Sequence, residues 1–129
     1  MRILLLDDDQ ALVKMAREWL SLAGHEVIAL SDFNAAQNYL SLNQPDALIT
    51  DVRLGAFNGM QLLLFAKLEH PDMVAVAMTG FDDPALRQEA ARIGATFLVK
   101  PVTGRDLELV LEGRPRSNRV SYFPGPGPH

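Results

Sequence analysis

The 129-residue chain contains no cysteine, a single tryptophan and only three histidines. The absence of cysteine excludes disulfides, thiol catalysis and thiolate metal sites. His25, His70 and His129 match no metal-ligand or catalytic-triad spacing, so we interpret them as surface residues. No apolar stretch reaches the length of roughly 20 residues that a membrane-spanning helix needs. The first apolar run also meets three aspartates too soon for a signal peptide, so we expect a cytoplasmic protein without membrane contact.

Basic residues are scarce relative to acidic ones. The chain has 12 lysines and arginines against 16 aspartates and glutamates, a net charge of −4, which argues against direct nucleic-acid binding.

The length is typical of a single domain with one core. From residue 114 onward the composition changes to Arg, Ser, Pro and Gly with few apolar residues. We therefore expect a domain at residues 1–113 and a flexible Pro/Gly-rich tail at 114–129.

Short apolar runs alternate with amphipathic segments along the domain. The runs have the length and composition of strands buried on both faces, and they lie at residues 3–6, 27–30, 47–50, 73–78 and 96–99. The segments between them carry apolar residues at helical spacing. Five strands alternating with five helices predict an α/β fold, with a parallel sheet covered by helices on both faces.

Capping residues predict where these helices begin and end. The expected N-caps are Asp9, Ser31, Asn58 and either Asp82 or Asp83, followed by a Thr103–Asp106 capping box. Gly24 and Gly94 are expected to follow two helix ends. The helical spacing also predicts which side chains are buried or solvated. It places Trp19 in the core, Met60, Leu63, Leu64 and Leu68 on one buried face, and Arg87 and Arg92 in solvent.

Polar and charged residues follow the predicted strands at the point where each strand ends. They are Asp7, Asp8 and Asp9 after the first strand, Asp51 after the third, Thr79 after the fourth and Lys100 after the fifth. Taken singly, each signal is weak, since acidic residues after a strand are commonly solvated loop residues. The carboxyl ends of parallel strands share one edge of the sheet, however, and ligands bind there. The joint occurrence therefore predicts one site.

The residue types at this edge suit phosphoryl chemistry. Carboxylates that lie close together repel one another unless a hard cation sits between them, which favours Mg²⁺. Asp8, Asp51 and the backbone carbonyl of Arg53 are candidate ligands. Lys100 adds a second positive charge and Thr79 a hydroxyl for a phosphate oxygen. With this assistance Asp51 can act as the nucleophile and form an aspartyl-phosphate.

Four stretches around these residues carry a family resemblance. They read ILLLDDD at 3–9, LITDVRL at 48–54, MTG at 78–80 and FLVKP at 97–101. From about residue 1 to 112 the sequence resembles a receiver domain of the bacterial two-component response regulators. The resemblance implies a flavodoxin-like, doubly wound (βα)5 fold with a five-stranded parallel sheet.

The resemblance also implies roles for individual residues. Asp7 and Asp8 would form the acidic Mg²⁺ pair and Asp51 would be the phosphoacceptor. Thr79 would be the switch hydroxyl, and Lys100 would contact the phosphate. Phe97 occupies the place of an aromatic switch residue on the output surface of the fourth helix, fifth strand and fifth helix. A plain core position explains Phe97 equally well, and both interpretations stay open.

The partners implied are a sensor histidine kinase or a histidine phosphotransfer protein, and a downstream target or effector domain. We expect a signalling phosphoacceptor and not a turnover enzyme. The only chemistry expected of it is Mg²⁺-dependent self-phosphorylation and autodephosphorylation. A monomer and a phosphorylation-dependent dimer both stay open, as do a full-length regulator and an excised receiver.

Two positions predict behaviour specific to this chain. Gly55 stands where family members usually have proline, so the loop after Asp51 is expected to be more mobile and Mg²⁺ binding weaker. By family analogy, Arg53 and Phe81 flank Asp51. The bulky Phe81 should hinder an attacking water and slow autodephosphorylation.

Two other functions compete with the receiver hypothesis. A phosphohydrolase of the haloacid-dehalogenase type also uses an aspartate nucleophile, but places it after the first strand in an Asp-x-Asp motif and carries a cap. A degenerate receiver would bind partners without being phosphorylated. The complete set of Asp7, Asp8, Asp51, Thr79 and Lys100 argues against this second alternative.

Overall fold

The computed structural model describes residues 1–54 and 57–112. Within them, seven strands and five helices follow one another along the chain. The strands are β1 (Arg2–Leu6), β2 (Glu26–Leu30), β3 (Ala47–Asp51), β4 (Arg53–Leu54), β5 (Phe57–Asn58), β6 (Val74–Thr79) and β7 (Thr96–Val99). The helices are α1 (Gln10–Leu22), α2 (Phe33–Leu42), α3 (Gly59–Glu69), α4 (Pro84–Arg92) and α5 (Gly104–Glu112).

The main sheet of the described chain has five strands in the order β2-β1-β3-β6-β7. All its pairings are parallel, as predicted. The chain first moves outward from β1 to β2 and then returns past β1 to β3, so the strand order reverses between β1 and β3. The carboxyl ends beside such a reversal form the crevice where ligands bind in open α/β sheets. Strands β4 and β5 form a separate antiparallel hairpin directly after β3.

Side chains of the central strands alternate between two apolar layers. Ile3 and Leu5 pack with Leu20 of α1 and Leu107 of α5 on one face. Leu4 and Leu6 pack into the layer of α2, α3 and α4 on the other. Because both faces of β1 and β3 are covered, these strands are apolar nearly throughout, which confirms the predicted α/β fold with helices on both faces.

Most helix boundaries agree with the predicted caps. Asp9, Asn58 and Asp83 accept hydrogen bonds from the first backbone N–H groups of α1, α3 and α4, and Thr103 and Asp106 form the reciprocal bonds of a capping box. The prediction for α2 was wrong. Asp32, and not Ser31, is its N-cap, because the Asp32 carboxylate accepts the Ala35 N–H at 2.9 Å.

Several burial predictions were also wrong. In α3, Leu64 and Leu68 are 45% and 72% exposed, whereas Leu62 is fully buried. This helix carries leucines on nearly all sides, so its sequence period could not locate the buried face. Trp19 is 43% exposed and lies against Gly104 of α5, where its indole N–H donates to Glu108 at 3.1 Å.

Two sequence predictions fall outside the described residues: the tail at 114–129 and Gly55. The domain boundary at residue 113 therefore stays a prediction. Across residues 1–54 and 57–112, the helices are all too short or too polar to cross a membrane.

Candidate functional site

The structure brings the predicted site residues to one edge of the main sheet. Asp7 follows β1, Asp51 ends β3, Thr79 ends β6 and Lys100 follows β7. The Lys100 ammonium nitrogen lies 2.8 Å from Asp7 Oδ2 and 3.1 Å from Asp51 Oδ2. One lysine therefore bridges two carboxylates that come from neighbouring strands.

Three carboxylates form an acidic cluster at this edge. One oxygen each of Asp7, Asp8 and Asp51 lies within 4.8 Å of the others. Asp7 and Asp51 are buried, while Asp8 is exposed to solvent. Hard divalent cations prefer oxygen ligands of this kind and retain part of their water shell. A cluster with one exposed carboxylate therefore fits a divalent cation that keeps several waters.

Asp7 is the most buried member of the cluster. Its Oδ1 atom accepts the Asp9 N–H at 2.9 Å. Its Oδ2 atom lies 2.8 Å from Lys100 Nζ, which is close enough for an ion pair, but the angle is not that of a hydrogen bond. No other described residue donates to this atom. Burial raises the pKa of Asp7 above the ordinary aspartate value, and Lys100 offsets only part of that effect. A buried carboxylate oxygen that lacks a hydrogen bond is the kind of atom that a cation would satisfy.

The Lys100 ammonium experiences two opposed effects. Burial alone would lower its pKa, but the interactions with Asp7 and Asp51 outweigh this, and the pKa is raised above the ordinary lysine value. Lys100 therefore stays positively charged throughout the physiological range. It provides a permanent point charge beside the Asp51 carboxylate.

Backbone contacts fix the position of Asp51. Its Oδ1 atom accepts the Arg53 N–H at 3.2 Å. The next residue, Val52, donates its N–H to Met78 at 2.8 Å and accepts the Gly59 N–H at 2.6 Å. Gly59 packs directly on the Asp51 backbone carbonyl, where a Cβ atom would collide with that oxygen. The close approach explains why the first residue of α3 is a glycine.

A cavity of about 350 Å³ opens beside Asp51. Its lining is formed by Asp51, Arg53, Thr79, Gly80, Phe81 and Lys100. Thr79 is buried, and its hydroxyl oxygen accepts the Phe81 N–H at 3.2 Å. Phe81 is 66% exposed at the mouth of the cavity. The hydroxyl of Thr79, the ammonium of Lys100 and the carboxylate of Asp51 therefore all border the same cavity.

Phe97 lies away from this cavity, within β7, and is 7% exposed. The guanidinium carbon of Arg87 lies 4.9 Å from the centre of the Phe97 ring. The same guanidinium pairs with Asp82 at 2.7 Å. The expectation that Arg87 is simply solvated was therefore wrong. No sequence spacing links residues 87 and 97, because they meet only after α4 packs on β7.

Comparisons with known proteins agree with this geometry. Residues 3–112 match the family described as response regulator receiver domain. The response regulator protein FleR of Pseudomonas aeruginosa is 34% identical over 107 residues, which cover 82% of this chain but 23% of FleR. The chain thus spans about a quarter of the length of this curated relative.

Solved structures show the same fold. A CheY-like receiver domain from Methanospirillum hungatei has a TM-score of 0.79 at 24% identity, covering 93% of both chains. A response regulator from Burkholderia pseudomallei has a TM-score of 0.82 at 20% identity, covering 97% of this chain and 75% of that one. That protein was crystallised with a phosphorylated aspartic acid, a calcium ion and citrate.

The match over most of the domain, together with the five-stranded fold, identifies the family. Receiver domains of this kind are signalling modules that interact with kinases and effector domains. The chain belongs to the response regulator receiver domain family, the phosphoacceptor modules of two-component signalling.

Proposed function

We propose that this protein takes a phosphoryl group from a histidine kinase or a histidine phosphotransfer protein onto Asp51. The observation that carries the proposal is the position of Asp51 at the carboxyl end of β3. Asp7 and Asp8 lie on one side of it and Lys100 Nζ lies 3.1 Å away. Because the phosphoryl group of such a kinase derives from ATP, the exchange belongs in the cytoplasm.

The transfer needs one nucleophilic oxygen and charge compensation. A carboxylate oxygen of Asp51 attacks the phosphorus of a phosphohistidine, forming a P–O bond as the P–N bond breaks. The electron pair of the P–N bond remains on the imidazole nitrogen. Lys100 stands where it can turn from the Asp51 carboxylate to an oxygen of the incoming phosphoryl group, because its ammonium already lies beside this carboxylate. Its raised pKa keeps that charge in place.

The divalent cation that fits the acidic cluster would be Mg²⁺ in the cell, held by Asp7, Asp8, Asp51 and the backbone carbonyl of Arg53. When bound, such an ion neutralises charge on the phosphoryl oxygens. Asp7 supports this assignment because its buried Oδ2 atom lacks a hydrogen bond within the described chain. Among the described residues, Lys100 is the cation that pairs with both buried carboxylates.

Thr79 is the residue proposed to report phosphorylation. Its hydroxyl lines the same cavity as Asp51 and is bonded to the backbone of Phe81, not to Asp51. A phosphoryl group on Asp51 would offer that hydroxyl a stronger, charged acceptor. The resulting movement of residues 79–81 would change the surface of α4, β7 and α5 that contacts a downstream partner, with Phe97 as the aromatic switch. Through the same change in the surface of α4, β7 and α5, phosphorylation would control the formation of a dimer.

The test is incubation with acetyl phosphate and Mg²⁺ followed by measurement of the intact mass. The expected result is a gain of one phosphoryl group that disappears in Asp51→Asn. Asp9→Asn is the matched control, since Asp9 lies in the same acidic run but serves as the N-cap of α1, where asparagine functions equally well. Rapid hydrolysis of many phosphomonoesters would indicate a phosphatase, and the absence of an adduct would indicate a degenerate receiver.

A further inference from the structure

Phe57 of β5 stacks on Phe33, the first residue of α2. The two ring centres lie 4.9 Å apart and the ring planes are inclined by 15°, which is within the range that stabilises aromatic pairs. Phe33 packs against the apolar layer of α2, α3 and α4, whereas Phe57 is 45% exposed. The stack therefore ties the hairpin of β4 and β5 to a residue that is anchored in the core.

The hairpin of β4 and β5 is too short to hold its position alone. Its strands, Arg53–Leu54 and Phe57–Asn58, pair through two residues each. The residues that connect them are glycine and alanine, which bring no large side chain to the connection. An isolated two-stranded hairpin is marginally stable at best in water. A contact with the rest of the domain is therefore needed to keep this hairpin in one place.

The hairpin also carries a residue that contacts Asp51. The Arg53 N–H donates to Asp51 Oδ1 at 3.2 Å, and Arg53 lines the cavity beside this carboxylate. In the hairpin, Arg53 pairs with Asn58, which directly follows Phe57. The backbone carbonyl of Arg53 is in addition one of the proposed cation ligands. The position of Phe57 is therefore transmitted through one strand pair to the residue that orients the Asp51 carboxylate.

We propose that the stack of Phe33 on Phe57 is a clamp that positions Arg53 for cation binding at Asp51. When the clamp is intact, the hairpin holds the Arg53 N–H on Asp51 Oδ1. When one ring is removed, the hairpin leaves this position in a larger fraction of the molecules, and those molecules bind the cation weakly. Both rings act through Arg53, so they are positioning residues and not ligands. This inference rests on the proposed function of Asp51.

The strength of an aromatic pair sets the size of the effect. Stacking shifts an equilibrium between a clamped and a free hairpin by about two- to tenfold. The apparent affinity for a ligand falls with the fraction of the protein that is in the binding-competent conformer. Because the hairpin has little stability of its own, the stacking effect should appear in the cation affinity. We therefore expect the loss of either ring to weaken cation binding by about two- to tenfold.

The test measures the Mn²⁺ affinity of the full chain, with electron paramagnetic resonance to count the free ion. Mn²⁺ prefers the same oxygen ligands as Mg²⁺. Phe57→Leu and Phe33→Leu each keep an apolar side chain but lose one ring, and each should bind Mn²⁺ about two- to tenfold more weakly than the wild type. The double variant should bind no more weakly than the single ones, because the second substitution removes a ring whose partner is already gone. Without a metal, the amide ¹H–¹⁵N NMR signals of Arg53 and Asn58 should move in all three variants.

Two matched variants separate the clamp from a general loss of apolar surface. Phe57→Tyr keeps a ring at the same place and should bind Mn²⁺ as tightly as the wild type. Leu42→Ala removes an exposed apolar side chain from the last residue of α2, the helix that begins with Phe33, and should change neither the Mn²⁺ affinity nor the amide signals. Urea unfolding of each variant separates a change in cation affinity from a change in global stability.

Wild-type Mn²⁺ affinity in folded Phe57→Leu and Phe33→Leu would overturn the clamp, and so would additive losses of affinity in the double variant. A Phe57→Tyr protein that binds Mn²⁺ as weakly as Phe57→Leu would overturn it as well, because the ring itself would then have no effect. Failure of the proposed function looks different: the wild type would gain no phosphoryl group from acetyl phosphate, and Asp51→Asn would leave its Mn²⁺ affinity unchanged.

Discussion

The contact between Gly59 and the backbone of Asp51 leads to a prediction about both stability and activity. In Gly59→Ala, the added Cβ would collide with the Asp51 carbonyl oxygen and lie 3.1 Å from Thr50 Oγ1. Alanine favours a helix over glycine by up to about 1 kcal/mol. Overpacking against immobile backbone costs about 1–3 kcal/mol. Since the obstacle is backbone and not a flexible side chain, we expect overpacking to win, with a net loss of about 1–2 kcal/mol.

Urea unfolding measures this loss. With a slope of about 1–2 kcal/mol per molar urea for a small domain, the midpoint should fall by roughly 1 M. Phosphorylation by acetyl phosphate should also slow, because the collision displaces the backbone that positions the Asp51 carboxylate. For stability, the matched control is Gly80→Ala, at the same edge of the sheet, where an added Cβ meets nothing within 4 Å. If Gly59→Ala were as stable as Gly80→Ala and phosphorylated as fast as the wild type, the predicted collision would be ruled out.

Three further predictions concern the edge of the sheet around Asp51. Lys100→Gln should bind Ca²⁺ or Mn²⁺ several-fold more tightly, because Lys100 competes with a cation for Asp7 and Asp51. The same variant should be phosphorylated more slowly, because the positive charge beside Asp51 is lost. Weaker cation binding in a titration would contradict the first expectation. The raised pKa of Asp7 keeps its carboxyl partly protonated at pH values where an ordinary aspartate is ionised. As the pH is lowered, cation affinity should therefore fall at a higher pH than the ordinary aspartate pKa predicts, and a titration series in which it falls only at or below that pKa would refute the assignment. Phe81→Ala should shorten the lifetime of the phosphorylated protein by opening the cavity mouth to water; an unchanged lifetime would remove Phe81 from that role.

The fold and the position of the site were predictable from the sequence for a physical reason. Strands buried on both faces must be apolar, so the charged residue that follows each one marks a strand end. In a parallel sheet all those ends share one edge. The alternation of apolar runs and helical segments was therefore enough to place Asp7, Asp51, Thr79 and Lys100 together, and their geometry agrees with that placement.

Other features depended on packing that the sequence does not encode locally. Ser31 and Asp32 are both good N-cap residues, and only the start of α2 decides between them. The leucines of α3 are spread around the helix and do not mark one apolar face, so the sequence wrongly predicted that Leu64 and Leu68 are buried. Arg87 of α4 contacts Phe97 of β7 across the turn between these elements, and no periodicity in the sequence predicts this contact.

Asp51 is the proposed carrier of the phosphoryl group. Borohydride reduces an aspartyl-phosphate to homoserine, so the phosphorylated protein is treated with borohydride and homoserine is located in its peptides by mass spectrometry. We expect homoserine at position 51 and at no other aspartate. Homoserine at position 7 or 8, or its absence from a protein that has gained a phosphoryl group, would contradict it.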